Sequence, residues 1–146
     1  MREYLFRGKR LDNDEWVEGD LFQDRDLGTA YIQGYDYYCD GGGLQREPFG
    51  FEVDPETVGQ FTGGVEFSHN EEDETLGRNI FEGDIVQISS GYSKSTGNFL
   101  LIWNEEISGF SWKHLSGKQK FFDEEIVGVK VIGNRWDNPE LLEGAS

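Results

Sequence analysis

Apolar and polar positions alternate with a period of two along most of this chain, and glycine-rich or acidic stretches interrupt the pattern. That period marks strands with one covered face. The clearest case runs from Val53 to Ile88. Asp54-Pro55-Glu56 is turn chemistry, because proline fixes φ at the second turn position and Asp bonds the backbone ahead of it. Thr57 to Thr62 then alternates, with Val58 and Gln60 on one side and Thr57, Gly59 and Phe61 on the other. β-branched and aromatic residues favour a strand there. Gly59 within the run points to a bulge or to close approach by another backbone. Ile80-Phe81 begins a new apolar run. Glu82-Gly83-Asp84 is a tight turn in which Gly83 is free to take a positive φ. Asp84 to Ile88 follows as a strand.

The same reading extends in both directions. Tyr4 to Arg10 and Glu15 to Phe22 are two strands joined by a turn at Asp12-Asn13-Asp14, which together make a hairpin. Ala30 to Gly34 is a third strand. Tyr35 to Gly43 reads either as a mobile, tyrosine-rich and glycine-rich loop or as a strand end with its rings packed on the sheet. Beyond Ser89 to Gly97, a loop, Asn98 to Asn104 is a nearly continuous apolar run, as in a strand buried on both faces. Gly109 to Leu115 places Phe110, Trp112 and His114 on one face. Phe121-Phe122 is a short apolar pair, and Glu125 to Ile132 is the last strand. Short strands closed by turn residues predict a small barrel. Asn138 and Pro139 suit the cap and first position of a helix, so Pro139 to Leu142 is predicted as one helical turn. That turn is expected to lay Leu141 and Leu142 on the barrel and close it.

Three blocks, in order, resemble the YopX family of phages and prophages. The first is Arg2 to Phe22, R-E-Y-L-F-R-G-K-R-L-D-N-D-E-W-V-E-G-D-L-F. The second is P-E-T-V-G-Q-F-T-G from Pro55 followed by I-F-E-G-D-I-V from Ile80. The third is Lys130 to Leu142, K-V-I-G-N-R-W-D-N-P-E-L-L. The resemblance implies a mostly β fold with a small SH3-like barrel toward the C-terminus, and it implies no reaction. This chain departs from the family between Gly63 and Asn79. A short basic hairpin of the form G-L-K-D-K-N-G-K is usual there, and this chain carries a longer, acidic segment.

The chain has 146 residues, 29 acidic against 13 basic, for a formal net charge of −16. Most faces of such a molecule repel a phosphate backbone, so direct nucleic-acid binding is not expected. The charge either serves solubility alone or imitates nucleic acid. Eleven Phe, six Tyr and four Trp supply a core despite a low aliphatic content, and twenty Gly supply turns. Cys39 stands alone, which excludes an internal disulfide and fits a reducing cytoplasm. No secretory signal and no apolar run of membrane length is seen.

Catalytic and metal signatures are missing. There is no nucleophile elbow, H-E-x-x-H helix, cysteine pair or kinase signature, and Gly41-Gly42-Gly43 lacks both phosphate-loop patterns. His69 and His114 have no partner at zinc spacing. Asn70, Glu72 and Glu74 offer oxygens for a hard cation, but not at EF-hand spacing, so the acidic run from Glu66 to Thr75 reads as a solvated loop. Arg7, Lys9 and Arg10 form the densest basic cluster, and cross-strand pairing with Glu15 and Glu18 accounts for it.

These observations predict a mostly β protein. A β-hairpin region over residues 1–62 packs with a small SH3-like barrel over 79–146, and an acidic insert, 63–78, separates them. Alternatively one integrated domain spans 1–142. The expected role is a non-enzymatic phage or prophage accessory protein in the host cytoplasm that contacts another protein, with homo-oligomerisation a further option. No cofactor, metal or membrane is expected. The candidate interaction surface is Tyr35, Tyr37 and Tyr38 with Glu71, Glu72, Asp73 and Glu74 of the insert, because tyrosine gives large contact area at low entropic cost. The alternative is an acidic decoy that occupies a DNA-binding protein of the host.

Overall fold

The computed structural model describes residues 3–68, 77–90, 97–115 and 126–143. In chain order the elements are β1 (Phe6–Lys9), β2 (Trp16–Asp24), β3 (Thr29–Asp40), β4 (Gly43–Val53), a 3-10 turn (Pro55–Thr57), β5 (Gly59–Val65) and β6 (Phe67–Ser68). There follow β7 (Asn79–Phe81), β8 (Asp84–Ser90), β9 (Gly97–Asn104), β10 (Gly109–His114), β11 (Ile126–Asn134) and the helix α1 (Glu140–Glu143). The chain divides into two compact units, Met1–Phe61 and Thr62–Ser146, and β5 runs through the division.

In the first unit the strands lie antiparallel in the order β4-β3-β2-β1 with the start of β5 beside β1. The predicted N-terminal hairpin is present, with Arg7 opposite Glu18 and Lys9 opposite Trp16. One face of this sheet holds the core. Ala30, Ile32 and Val53 are buried there, with Phe6, Val17, Leu21 and Val58 packed against them. Gly8 is required at its place, because a Cβ would lie 2.8 Å from Val53 Cγ2. The Asp54-Pro55-Glu56 turn forms as read. The Asp54 side chain accepts from Glu56 N at 3.0 Å. Thr57 belongs to this turn and not to the strand: its Oγ1 accepts from Lys9 N and donates to Asp54 O. The following strand therefore starts at Gly59.

The second unit holds a five-stranded antiparallel sheet in the order β10-β9-β8-β11-β6. Ile80, Val86, Ile88, Phe99, Leu101, Val129 and Val131 form its core. The end of β5 lies beside β7, where Thr62 Oγ1 donates to Ile80 O at 2.7 Å. Gly83 has φ +89, as its turn demands. Its N–H donates to Leu101 O and its carbonyl accepts from Arg135 N. Buried Asp84 closes the same turn by accepting from Phe81 N at 2.8 Å.

Two expectations change. β10 and β6 stand at opposite ends of the strand order and do not pair, so no closed barrel is found among the described residues. The C-terminal helical turn exists but covers Glu140–Glu143, one residue later than read, with Leu141 and Leu142 half-buried. The Asn138 side chain does not cap it forward; its Oδ1 accepts from Asn134 N.

Candidate interaction surface

The tyrosine-rich stretch is a strand and not a mobile loop. β3 and β4 pair from Ala30↔Val53 out to Asp40↔Gly43. Gly41 and Gly42 make the two-residue turn, Asp40 Oδ1 accepts from Gly42 N at 2.9 Å, and Gly43 takes φ +109. β2 accompanies β3 only as far as Gln33. Beyond that point the two strands form a ribbon with no third strand beside it among the described residues.

Alternation divides the ribbon into two faces of different chemistry. Tyr35, Tyr37 and Cys39 lie on one face, opposite Pro48, Arg46 and Leu44. Asp36, Tyr38 and Asp40 lie on the other, opposite Glu47, Gln45 and Gly43. Tyr37 is 65% exposed and Leu44 70%. The Arg46 guanidinium sits 4.4 Å from the centre of the Tyr35 ring. It forms no ion pair among the described residues, so it presents an unneutralised cation beside exposed aromatic surface.

The structure therefore separates the predicted tyrosines. Tyr35 and Tyr37 share the apolar face, and Tyr38 belongs to the acidic one. All three are about half exposed or more, so the reading of rings packed on the sheet does not hold. Glu71, Glu72, Asp73 and Glu74 lie outside the described residues. Glu66, read as the first residue of the solvated acidic run, is instead a buried structural group. It is 4% exposed, and its Oε1 accepts from Val131 N at 2.9 Å.

The tyrosine face continues into the sheet proper. Gln33 and Tyr31 follow on β3, Glu52 on β4, and Asp20 and Phe22 on β2, with Arg7 and Trp16 farther along. Phe22 and Tyr31 stack tilted at 6.2 Å, and Phe22 is 53% exposed. The basic cluster divides in two, with Arg7 and Lys9 together on one ring and Arg10 apart from them. Arg7 and Lys9 lie over the Trp16 ring at 4.7 and 5.8 Å. Arg10 lies over Phe51 and pairs with Asp12, which the hydrogen bond from Arg10 holds below the usual carboxylate range.

The second unit adds a feature that the sequence did not disclose. An apolar cleft of about 210 Å³ is lined by Phe67, Ile80, Leu101, Trp112, Ile126 and Val129, among others. Its lining comes from six strands far apart in the chain. Only the alternation of Phe110, Trp112 and His114 hinted at it. His114 packs edge-on against Phe99 at 4.7 Å. His69 lies outside the described residues, and no group of three metal-ligating side chains comes together among the described ones. No helix there is long and apolar enough to cross a membrane.

Comparison with curated proteins and with solved structures yields no match. The family model described as YopX protein matches residues 5–143. That match takes in both units and every strand described above, and the chain belongs to the YopX family.

Proposed function

We propose that this is a non-enzymatic accessory protein of phage or prophage origin that works by docking another protein on the β3–β4 ribbon. The observation that carries the reading is the ribbon face of Tyr35, Tyr37, Leu44 and Arg46. It combines exposed aromatic area with one arginine that has no ion pair among the described residues, the composition from which interface anchors are drawn. A two-stranded ribbon is marginal by itself in water, so a covering partner stabilises what the fold leaves bare. On this reading the second unit is a small SH3-like module, open on one side. No catalytic role is assigned to any residue.

One observation favours the decoy reading. The other face of the same ribbon carries Asp36, Asp40 and Glu47, and the whole chain carries −16. A basic host protein would choose that face. Immobilised protein, its Tyr37→Ala variant and a variant with Asp36→Asn and Glu47→Gln are exposed to host lysate, and captured proteins are identified by mass spectrometry. Loss of the captured partner with Tyr37→Ala alone supports docking on the tyrosine face. Loss with the acidic double variant alone, together with competition by duplex DNA, overturns it in favour of the decoy.

A further inference from the structure

We propose that in the free protein, before another partner occupies it, the tyrosine face of the first unit is the interface of a two-fold dimer, in which the ribbon tip of each copy lies on the sheet of the other. The inference rests on the reading of the ribbon as a docking surface and names a second copy as an occupant.

Charge is the first argument. A chain at −16 repels its own copies over most of its surface. The tyrosine face of the ribbon is the exception. Arg46 is the only charged residue among Tyr35, Tyr37, Cys39, Leu44, Arg46 and Pro48. The same face changes sign toward the base of the sheet, where Glu52 and Asp20 stand beside Phe22 and Tyr31. The tip is thus cationic and apolar, and the base is anionic and aromatic. A surface of that kind complements itself when rotated by half a turn.

Register makes the pairing specific. Let the two-fold axis lie between two facing sheets at the Tyr35–Pro48 pair. Each residue toward the tip then meets one equally far toward the base. Arg46, two residues from Pro48 on β4, falls over Gly50 of the second copy, where no side chain blocks it. Glu52 of the second copy is the next residue on that face. Leu44 falls over Glu52 and Cys39 over Tyr31, the near side of the Phe22–Tyr31 aromatic pair. The seven pairs from Gly34↔Phe49 to Asp40↔Gly43 give a ribbon roughly 20 Å long at about 3.3 Å per residue, long enough to cover the base strands of a partner. Glu52 is held only loosely within its own copy: Tyr31 Oη donates to it at 3.4 Å.

The test is analytical ultracentrifugation of the full chain at physiological salt, with circular dichroism to confirm the fold of each variant. The parent is expected to dimerise. Arg46→Glu is expected to weaken the dimer by at least about tenfold, and Leu44→Ala to weaken it as well. The double variant Arg46→Glu with Glu52→Arg is expected to recover it, a result that a merely structural role for either residue would not give. A parent that stays monomeric at high concentration overturns the dimer. So does an Arg46→Glu variant that dimerises like the parent, or a charge swap that fails to restore association. A monomeric parent whose Tyr37→Ala variant still loses its lysate partner overturns the dimer alone and leaves the docking function intact.

Discussion

Two residues of the second unit show how single positions hold this fold. Gly83 combines φ +89 with a position where a Cβ would lie 2.4 Å from the Trp136 ring. Gly83→Val therefore meets both backbone strain and a clash. It should cost more than about 1 kcal/mol, since β-branched residues avoid positive φ. Urea unfolding at equal m-value measures this, and a midpoint unchanged from the parent contradicts it. Glu66 is the second case. Its buried carboxylate takes the Val131 N–H, a donor that the short β6 does not reach. Glu66→Ala leaves that donor unpaired and should cost about 1–3 kcal/mol, while Glu66→Gln keeps an acceptor and should cost less. Equal stability of the two variants would show that the hydrogen bond contributes nothing. Gly83 was legible in the sequence, because a glycine between Glu82 and Asp84 at the start of an alternating strand has few other uses. Glu66 was not, because a carboxylate heading an acidic run looks solvated until the strand that covers it is known.

At the scale of elements, the strands with clear alternation were readable and β4 was not. Gly43, Pro48 and Gly50 lower the strand propensity of that stretch, and Pro48 denies a donor. The fold accommodates this by placing β4 at the edge of its sheet, the place in a sheet where a proline is tolerated. The outer half of β3 is hard to read for a related reason. Tyr35-Asp36-Tyr37-Tyr38-Cys39-Asp40 alternates, but both faces carry polar atoms, so no buried face announces it. Because the ribbon pairs only with itself beyond Gln33, replacing Tyr35 to Pro48 by Asn-Gly should leave the core of the first unit in place. A melting temperature within a few degrees of the parent, with partner binding lost, is the expected result. Cooperative unfolding at a much lower temperature would show that the ribbon supports the sheet. The division of labour between faces is also an element-scale statement. Tyr37→Ala should reduce docking, and Tyr38→Ala, on the opposite face, should not.

For the whole molecule, net charge makes the sign of the salt dependence the most informative quantity. Two copies at −16 repel each other at long range, and salt screens that repulsion over about 10 Å at 0.1 M. The Arg46–Glu52 contact of the proposed dimer is short-ranged and flanked by Leu44 and Tyr31, so screening weakens it less. Raising salt from about 0.01 to 0.15 M should therefore strengthen self-association. A decoy obeys the opposite rule. Its attraction to a basic protein is long-ranged, weakens steeply over the same interval and is competed by duplex DNA. Duplex DNA itself should not bind this chain at physiological salt, since a net charge of −16 repels a phosphate backbone over most of the surface and Arg10 of the basic cluster is paired with Asp12. Sedimentation at two salt concentrations, of the chain alone and with its captured partner, with and without DNA, separates the cases. Association that tightens with salt, ignores DNA and depends on Tyr37 and Arg46 is the outcome expected here. Association that weakens with salt and yields to DNA would move the functional surface to the face of Asp36, Asp40 and Glu47.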